Sequence, residues 1–374
     1  MGNRPTIALI DRKAIEHNYG QLRKLVSGTT KMMAVVKANA YGHGDVEVSK
    51  VLEGLGCEYL GVAICEEGVR LRQAGIKVPI VVLGGVYPSQ VQDCFEFDLT
   101  PVIFDSDTAA LLNQFAIKKS VKKKIHLKID TGMGRLGLLP HHVVKFFQEF
   151  RSFDGLEVEG VLSHFAEVEE EDKAFSKKQL DMFLKVLGII EGLGYDLPCV
   201  HMANSAAIVD YIESHFNLIR SGIMIYGAYP HMRFKDKVDL KPVMQLKTQI
   251  LQAKNVPTGS PVSYGRTFVT RRESLIATIP IGYGDGLPRR LSSNAGQGEA
   301  LVKGVRAPIV GTVCMDLTML DVTGVEGVRA GDEVVIIGRQ GEEEITVDEV
   351  AEKAGTIPYE ILCNISARVP RLAV

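Results

Sequence analysis

The first two-thirds of the chain alternates between short apolar runs and longer amphipathic stretches, and this alternation restricts the fold more than any other feature. Eight runs rich in Val, Ile and Leu are predicted to be strands: Met32–Lys37, Tyr59–Ile64, Ile80–Leu83, Thr100–Phe104, Lys124–Ile129, Val158–Ser163, Leu197–Met202 and Leu218–Tyr226. Continuously apolar strands separated by helices are typical of a parallel sheet. Eight such units within about 250 residues predict a closed, TIM-like (βα)8 barrel. An open doubly wound sheet is the alternative, but no GxGxxG motif follows the first strand.

The stretches between these runs have helical periodicity. The predicted helices are Glu66–Ala74, Ser106–Phe115, His141–Phe150, Ser176–Glu191 and Ser205–Ile212. Ser106 and Ser176 are predicted N-caps, because a serine hydroxyl can accept a backbone N–H of the first helical turn. Another helix is expected to start near Asp45, with His43 as its cap.

After about Lys235 the pattern changes to strand-like segments separated by glycine and proline. These segments are Met244–Val256, Ser274–Ile281, Ala300–Val305, Ala307–Val313, Leu317–Val322 and Glu333–Ile337. Only Val347–Ala354 has clear helical periodicity in this part. We therefore expect a barrel over residues 10–235 and a mostly β C-terminal domain over residues 236–374, which also includes an N-terminal strand at residues 1–9.

Charge and cysteine spacing exclude several classes of function. The formal net charge is -2, so no basic excess indicates a nucleic-acid partner. The six cysteines form no CxxC pair, and we expect neither a zinc site nor any other metal. No apolar run is long enough to cross a bilayer, and the N-terminus lacks the pattern of a signal peptide. We expect no membrane partner and a cytoplasmic location.

Groups able to carry chemistry lie within or just after five of the predicted barrel strands, and the ends of such strands are where parallel barrels place their functional groups. They are Lys37, Tyr41, Lys128, Asp130, Arg135, His164, His201, Asn204, Ser205, Arg220, Ser221 and Gly222. Each one alone is more often a surface or structural residue. Together they indicate a bound polar ligand, because buried polar groups cost free energy unless they are partnered.

The residue types at this rim suggest the chemistry of that ligand. Lys37 ends an apolar run, and desolvation of its amine lowers the pKa and favours a Schiff base. The backbone N–H groups of Gly222 and Ile223 follow Arg220 and are suited to cradle a phosphate. A lysine, an arginine and an anion site together indicate pyridoxal phosphate.

The segment AVVKANAYGHG, which contains Lys37, resembles the cofactor-lysine motif of the alanine racemases. The resemblance extends over essentially the whole chain. It recurs in LKIDTGMGRLG, HMANSAA, IRSGIMIYG, VSYGRTF, IPIGYGDG, VCMD and PYEILCNISARVPR. It implies a pyridoxal-phosphate-dependent homodimer whose active sites each lie between the barrel of one subunit and the C-terminal domain of the other.

The same resemblance assigns roles to residues. Lys37 is expected to hold the cofactor as an imine and to act as one catalytic base, and Tyr264 of the partner subunit is expected to act as the other. Arg220 is expected to face the pyridine nitrogen, with His164 linking Arg220 to Tyr264. The remaining cofactor-binding residues implied are Tyr41, Asn204, Ser205, Gly222, Ile223 and Tyr359.

Substrate-binding and supporting residues follow in the same way. Arg135 and the backbone at Met315 are expected to bind the substrate carboxylate. Lys128 matches a lysine that is carbamylated in some members of the family. Tyr283 and Asp316 are expected to line the substrate entrance, with Cys314 supporting this region.

The implied reaction interconverts L- and D-alanine and supplies D-alanine for the bacterial cell wall. Two bases on opposite faces of the substrate suit it, because the α-proton leaves one face and a proton returns to the other. A racemase of another small amino acid, such as serine, is an alternative. A decarboxylase of the same barrel superfamily would need a C-terminal cysteine–aspartate motif and a glycine-triplet phosphate loop, and we find neither. A barrel-only cofactor carrier and a cofactor-free Schiff-base aldolase are the remaining alternatives.

Overall fold

The computed structural model describes residues 4–374. Its N-terminal part contains eight parallel strands, which confirms the predicted barrel. In chain order they are Lys31–Val35, Tyr59–Val62, Ile80–Val82, Leu99–Ile103, Lys123–Lys128, Leu156–Leu162, Cys199–His201 and Leu218–Ser221. Each of the first six strands pairs with the strand that follows it. The first strand also pairs with the eighth, and in that pair Met33 lies opposite Arg220.

The seventh and eighth barrel strands are joined by two hydrogen bonds near the point where the barrel closes. The Arg220 N–H donates to the carbonyl oxygen of Ala203 at 3.0 Å. The Val200 N–H donates to the side chain of Asn217 at 2.7 Å. These bonds hold the seventh strand beside the eighth and so close the barrel. Apolar side chains, including that of Met33, fill its interior.

Helices follow most barrel strands and pack on the outside of the barrel. They are Asp45–Gly54, Cys65–Gln73, Val91–Glu96, Ser106–Lys119, Val143–Phe150, Ala174–Gly192 and Ser205–Asp210, and the helix Arg12–Lys24 precedes the first barrel strand. The two predicted serine caps are wrong. Asp105 caps the helix that starts at Ser106, because its carboxylate accepts the Thr108 N–H at 2.7 Å. Ser176 lies inside its helix, buried, with its hydroxyl unpartnered among the described residues.

The C-terminal part is mostly β, as predicted. Its strands are Met244–Gln249, Gln252–Val256, Pro261–Val262, Phe268–Val269, Ser274–Ile279, Glu299–Val302, Val305–Pro308, Thr318–Asp321, Glu333–Gln340, Glu343–Ile345 and Arg371–Ala373. The strand Ile7–Ile10 joins this part by pairing antiparallel with Met244–Gln249 and parallel with Arg371–Ala373. Residues 1–3 of the predicted N-terminal strand lie outside the described residues.

The structure departs from the prediction at three places that affect the site. The first barrel strand ends at Val35, and Lys37 begins a separate turn instead of ending the strand. The eighth ends at Ser221, and a 3₁₀ turn over Ile223–Tyr226 replaces its predicted continuation. A second C-terminal helix, Pro358–Asn364, follows Val347–Ala354 and was not predicted.

Two further properties concern the described part of the chain, residues 4–374. None of its helices combines the length and the apolar character that a membrane crossing requires. It also contains no group of three or more His, Cys, Asp or Glu side chains arranged for a metal ion.

Candidate active site

A cavity of about 270 Å³ lies at the carboxyl ends of the barrel strands. Strand ends and the loops that follow them supply most of its lining. The C-terminal helix Pro358–Asn364 adds Tyr359. The predicted site residues that line it are Lys37, Tyr41, Lys128, Arg135, His164, Asn204, Ser205, Arg220, Gly222, Ile223 and Tyr359.

The cavity is strongly basic. Four of its lining residues are basic, namely Lys37, Lys128, Arg135 and Arg220, and no described lining residue is a carboxylate. Like charges held close together in a partly desolvated space raise one another's free energy. The cavity therefore favours a ligand with at least one anionic group.

Lys37 begins a turn of the unusual left-handed type. The next four residues, Ala38, Asn39, Ala40 and Tyr41, have φ angles of 53°, 56°, 52° and 51°. This conformation costs roughly 1–2 kcal/mol for each non-glycine residue. Burial, and after it the nearby charge of Arg135, lower the pKa of Lys37, which favours the neutral amine that nucleophilic attack requires.

Contacts from distant parts of the chain hold this turn. The Glu67 carboxylate accepts the Ala38 N–H at 2.6 Å and the Ala63 N–H at 2.8 Å, which ties the start of the turn to the second barrel strand. At the other end, Nδ1 of the buried His43 lies 2.9 Å from the carbonyl oxygen of Tyr41. The prediction that His43 caps the next helix is therefore wrong, and the N-cap of that helix is Gly44.

Arg220 is nearly fully buried, and most of its donors are used inside the protein. Nη1 donates to the Nδ1 atom and to the carbonyl oxygen of His201, both at 2.9 Å. Nη2 donates to the carbonyl oxygens of Ser163 at 2.7 Å and Met202 at 3.0 Å, and it lies 3.2 Å from Nδ1 of His164. The hydrogen bonds that Arg220 makes among residues 4–374 use Nη1 and Nη2 and leave the Nε–H for a ligand.

The charge of Arg220 also acts on its neighbours in the cavity. Burial lowers the pKa of Arg220 to about 10, so the guanidinium stays charged at neutral pH. Burial and then the Arg220 charge lower the pKa of His164 well below its usual range, which keeps that ring neutral. Burial and the charges of Arg220 and Arg135 lower the pKa of Lys128 to about 8.

A compact set of donors lies on the side of the cavity next to the 3₁₀ turn. The Gly222 N–H lies 2.9 Å from Oγ of Ser205. A Cβ atom at Gly222 would lie 2.8 Å from the hydroxyl of Tyr41, so only glycine leaves this space open. The rings of Tyr41 and Tyr359 have centroids 6.0 Å apart. Asn204 caps the helix Ser205–Asp210 by accepting the Ala207 N–H at 3.0 Å, which fixes the start of that helix.

The C-terminal site residues lie elsewhere in this chain. Tyr264 has 73% of its surface exposed and borders a separate cavity of about 620 Å³ that Cys314 also lines. The Tyr283 N–H donates to the carbonyl oxygen of Cys314 at 3.0 Å, and the Gly284 N–H donates to that of Met315 at 2.9 Å. Asp316 accepts a hydrogen bond from Arg368 at 2.7 Å. A single chain thus has two groups of predicted residues and does not bring them together in one cavity.

Sequence reasoning missed Glu67 and His126 and gave His201 no role beyond its place at the rim. Glu67 anchors the turn after Lys37, and His201 and His126 form a buried pair behind Arg220. Glu67 carries a weak local signal, since it is the third residue of a helix and its carboxylate accepts N–H groups that precede that helix. His126 has no such signal, because it lies within an apolar strand.

Comparison with known proteins assigns the family. The family model described as alanine racemase, N-terminal domain, matches residues 10–230, and the one described as alanine racemase, C-terminal domain, matches residues 243–373. The chain belongs to the alanine racemase family. It is similar to an alanine racemase of Halothermothrix orenii, with 48% identity over 98% of this chain and 96% of that protein.

Solved alanine racemases share the fold along the whole chain. The enzyme of Bacillus anthracis with bound L-Ala-P has a TM-score of 0.94 and 38% identity, covering 100% of this chain and 96% of that one. The enzyme of Bartonella henselae with covalently bound pyridoxal phosphate has a TM-score of 0.88 and 33% identity, covering 99% of both chains. Membership of the family makes this chain an isomerase that uses pyridoxal phosphate.

The residues of the cavity fit that cofactor. Its aldehyde needs an amine of lowered pKa, which Lys37 has. Its phosphate needs a concave set of donors, and Gly222 leaves such a space beside the hydroxyls of Tyr41 and Ser205. Its ring nitrogen needs a hydrogen-bond donor, and the Nε–H of Arg220 is not used within the described residues.

Proposed function

We propose that this chain interconverts L- and D-alanine with Lys37 as one base and Tyr264 of the partner subunit as the other. The observation that carries the proposal is the basic cavity that places Lys37 together with two arginines and with the donors around Gly222. A racemase substrate bound to pyridoxal phosphate has two anionic groups, the phosphate and the amino-acid carboxylate. Arg135 and Arg220 are cations in this lining, which contains no carboxylate, and they suit that negative charge.

Lys37 and the cradle have separate tasks in this proposal. Lys37 holds the cofactor covalently in the resting enzyme and, once released, moves a proton at the substrate α-carbon. The phosphate is held by Tyr41, Ser205, Gly222, Ile223 and Tyr359, with Asn204 fixing the helix that starts at Ser205. When bound, pyridoxal phosphate withdraws electrons from the α-carbon and so acidifies its proton.

Arg220 controls how strongly electrons are withdrawn. Its guanidinium is donor-only and stays charged at neutral pH, so the Nε–H leaves the ring nitrogen it faces unprotonated. An unprotonated ring is a weaker electron sink, and we infer that this limits side reactions such as transamination. Nδ1 of His164 lies 3.2 Å from Nη2 of Arg220. In this proposal His164 also links Arg220 to Tyr264 of the partner subunit.

Arg135 and the backbone at Met315 bind the substrate carboxylate in this proposal. Arg135 is exposed at the cavity and has no carboxylate partner among residues 4–374, so its charge is free for a ligand. Met315 is 52% exposed beside the turn that carries Tyr283. Tyr283 and Asp316 line the substrate entrance, with Cys314 behind them.

We propose a homodimer with shared sites, because the two groups of residues are separated within one chain. The loop of Tyr264 is held in shape, since Ser263 has a φ of 65° and donates to the carbonyl oxygen of Thr312 at 2.6 Å. Its 73% exposed ring therefore extends from a fixed backbone. Such a ring is suited to enter the cavity of a second copy.

We propose that Lys128 is carbamylated. Its pKa of about 8 gives a neutral amine fraction that can react with carbon dioxide, and its neighbours Arg220 and Arg135 stabilise the negative charge that the carbamate brings. In 13C NMR of enzyme incubated with 13C-bicarbonate, we expect a carbamate signal that Lys128→Gln removes. No difference between the two proteins would reject this modification.

The experiment that tests the function is racemisation of a panel of L-amino acids with added pyridoxal phosphate. We expect alanine to react fastest and serine more slowly, because the cavity is small. Turnover of serine above that of alanine would favour the serine alternative, and release of carbon dioxide would favour the decarboxylase.

We further propose that the enzyme is cytoplasmic and supplies D-alanine to peptidoglycan. Its six cysteines are free thiols, which is typical of proteins in a reducing compartment.

A further inference from the structure

A buried chain of hydrogen bonds runs from Arg220 through the barrel, away from the cavity. Nη1 of Arg220 lies 2.9 Å from Nδ1 of His201, and Nε2 of His201 lies 2.9 Å from Nδ1 of His126. Nε2 of His126 lies 3.2 Å from Oε2 of Glu159. Lys124 completes it by donating to Oε1 of Glu159 at 2.9 Å. We call Arg220, His201, His126 and Glu159 the histidine chain.

The direction of every bond in the histidine chain follows from its two ends. Arginine only donates, so Nδ1 of His201 is unprotonated and its proton is on Nε2. That N–H donates to Nδ1 of His126, whose own proton must then be on Nε2. The carboxylate of Glu159 accepts it. An extra proton on either ring would place two N–H groups against each other.

Burial and charge agree with this assignment. Both histidine side chains are 0% exposed, and burial lowers the pKa of each, which keeps the rings neutral. Burial raises the pKa of Glu159, but the hydrogen bonds from His126 and Lys124 outweigh it and bring the pKa to about 2. Glu159 is therefore ionised and accepts hydrogen bonds only.

The neighbouring strand also fits the ring of His126. Gly160 is its partner in the sheet register. A Cβ atom at Gly160 would lie 2.7 Å from Nδ1 of His126. The glycine therefore leaves the space that the ring occupies, and the ring has little freedom to turn out of the histidine chain.

We propose that Glu159 is a positioning residue for Arg220, which acts by setting the tautomers of His126 and His201. Without an acceptor at Glu159, the proton of His126 moves to Nδ1, and the proton of His201 is then displaced to its own Nδ1. That N–H faces the guanidinium of Arg220, which loses one of its acceptors while its bonds to backbone carbonyl oxygens remain, and the guanidinium shifts away from the cofactor ring. The effect of Glu159 on catalysis rests on the role proposed for Arg220. The directions of the hydrogen bonds in the histidine chain do not depend on that role.

The bond directions are tested on the wild-type holoenzyme by NMR with 15N-labelled histidine. We expect the signals of His126 and His201, assigned from His126→Gln and His201→Gln, to show unprotonated Nδ1 and protonated Nε2. A protonated Nδ1 on either ring overturns the proposal, and this measurement needs no Glu159 variant to fold.

The functional part is tested with two substitutions and a matched control. Glu159→Leu removes the acceptor, so we expect a second tautomer in the NMR spectrum and a kcat about tenfold lower, the size of one hydrogen bond to a charged group. Glu159→Gln keeps an acceptor oxygen and should retain the wild-type tautomers and most of kcat. Glu157→Gln removes a charge two residues earlier on the same strand and should change neither.

Each contrary outcome has a defined meaning. Wild-type tautomers and kcat in Glu159→Leu would show that Glu159 does not act on Arg220. Equal losses in Glu159→Leu and Glu159→Gln would show that its charge, and not hydrogen-bond acceptance, is what matters. A new tautomer with unchanged kcat would retain the bond directions but reject the positioning role.

Discussion

Gly42 packs directly against the carbonyl oxygen of Leu362. A Cβ atom at Gly42 would lie 2.1 Å from that oxygen, and Gly42 has a φ of 84°. This contact joins the left-handed turn that begins at Lys37 to the C-terminal helix Pro358–Asn364. That helix carries Tyr359, so one contact places two elements that line the cavity.

Gly42→Ala should therefore destabilise the enzyme more than its backbone angle alone explains. A matched control is Gly56→Ala, because Gly56 has a φ of 77° but nothing within 4 Å of its Cβ position. Positive φ costs about 1 kcal/mol in both variants, and the clash adds to it at Gly42. We expect a clearly larger drop in melting temperature for Gly42→Ala, together with weaker cofactor binding. Equal drops would show that the contact with Leu362 yields without cost.

Lys37→Ala should abolish both racemisation and covalent cofactor binding, since no other amine of lowered pKa except Lys128 lines the cavity. The near-visible absorbance of the imine and its loss on borohydride treatment report the covalent bond. Lys178→Ala changes an exposed lysine on the helix Ala174–Gly192 and serves as the control. A Lys37→Ala enzyme with full activity would refute the assignment.

Tyr264→Phe should impair proton abstraction from one enantiomer by about 10²–10⁴-fold, the usual contribution of a general base. Overall racemisation rates in the two directions are tied by an equilibrium constant of about one, so we would measure exchange of the α-hydrogen with solvent deuterium for each enantiomer. Tyr87→Phe is a matched control, because Tyr87 is 74% exposed on the surface. Equal and small losses for both enantiomers would reject the two-base assignment.

Mixing two inactive variants should restore activity if the sites are shared. A dimer of one Lys37→Ala chain and one Tyr264→Phe chain has one site with both native residues and one with neither. Random exchange of subunits in a two-fold dimer should recover about a quarter of wild-type activity. Mixtures that stay inactive after subunit exchange, or a fully active monomer, would contradict the shared site.

The stability of the cofactor-free enzyme should depend on pH through Lys128. Burial lowers the pKa of Lys128 from 10.5 to about 8 in the folded state. Below pH 8, Lys128 is protonated in the folded and in the unfolded chain, so folding carries the full cost of burying its charge. Between about pH 8 and 10.5 the unfolded chain binds more protons than the folded one, so the free energy of unfolding rises with pH. Lys128→Met should thus be more stable than wild type below pH 8, by on the order of 3 kcal/mol, and the difference should disappear at higher pH.

That comparison is made by chemical denaturation in buffer free of carbon dioxide, which prevents carbamylation. Lys178→Met, at an exposed position, is the control for a lost lysine. A difference between wild type and Lys128→Met that stays constant across this pH range would show that Lys128 has an ordinary pKa in the folded state.

The barrel and its rim were predictable because they depend on periodicity and on strand direction. Apolar runs of strand length alternate with helical stretches, and all eight barrel strands were found within a few residues of their predicted positions. The carboxyl ends of parallel strands meet at one edge, so the polar residues after them had to converge. Eleven predicted residues do line one cavity. Their individual roles stay predictions.

Errors in the predicted ends of helices and strands arose where neighbouring residues are equally suited to the terminal position. Ser106 was predicted as an N-cap, but the preceding Asp105 takes it, and the two side chains are equally suited to the role. The 3₁₀ turn after Ser221 was read as strand because its residues are as apolar as the strand before it. Such boundaries depend on backbone geometry, which residue type does not encode strongly.

The sequence by itself determined the strand order, the rim and the placement of Lys37 within it. Only the tertiary structure decided the left-handed turn after Lys37, since Ala38 and Ala40 have no intrinsic preference for it and distant Glu67 and Leu362 hold it in place. Only the tertiary structure decided the partners of Arg220, which come from several strands. The same holds for the separation of Tyr264 from Lys37, which the family resemblance implied but which no periodicity or spacing indicates. Long-range contacts impose these features, and no local pattern in the chain reports them.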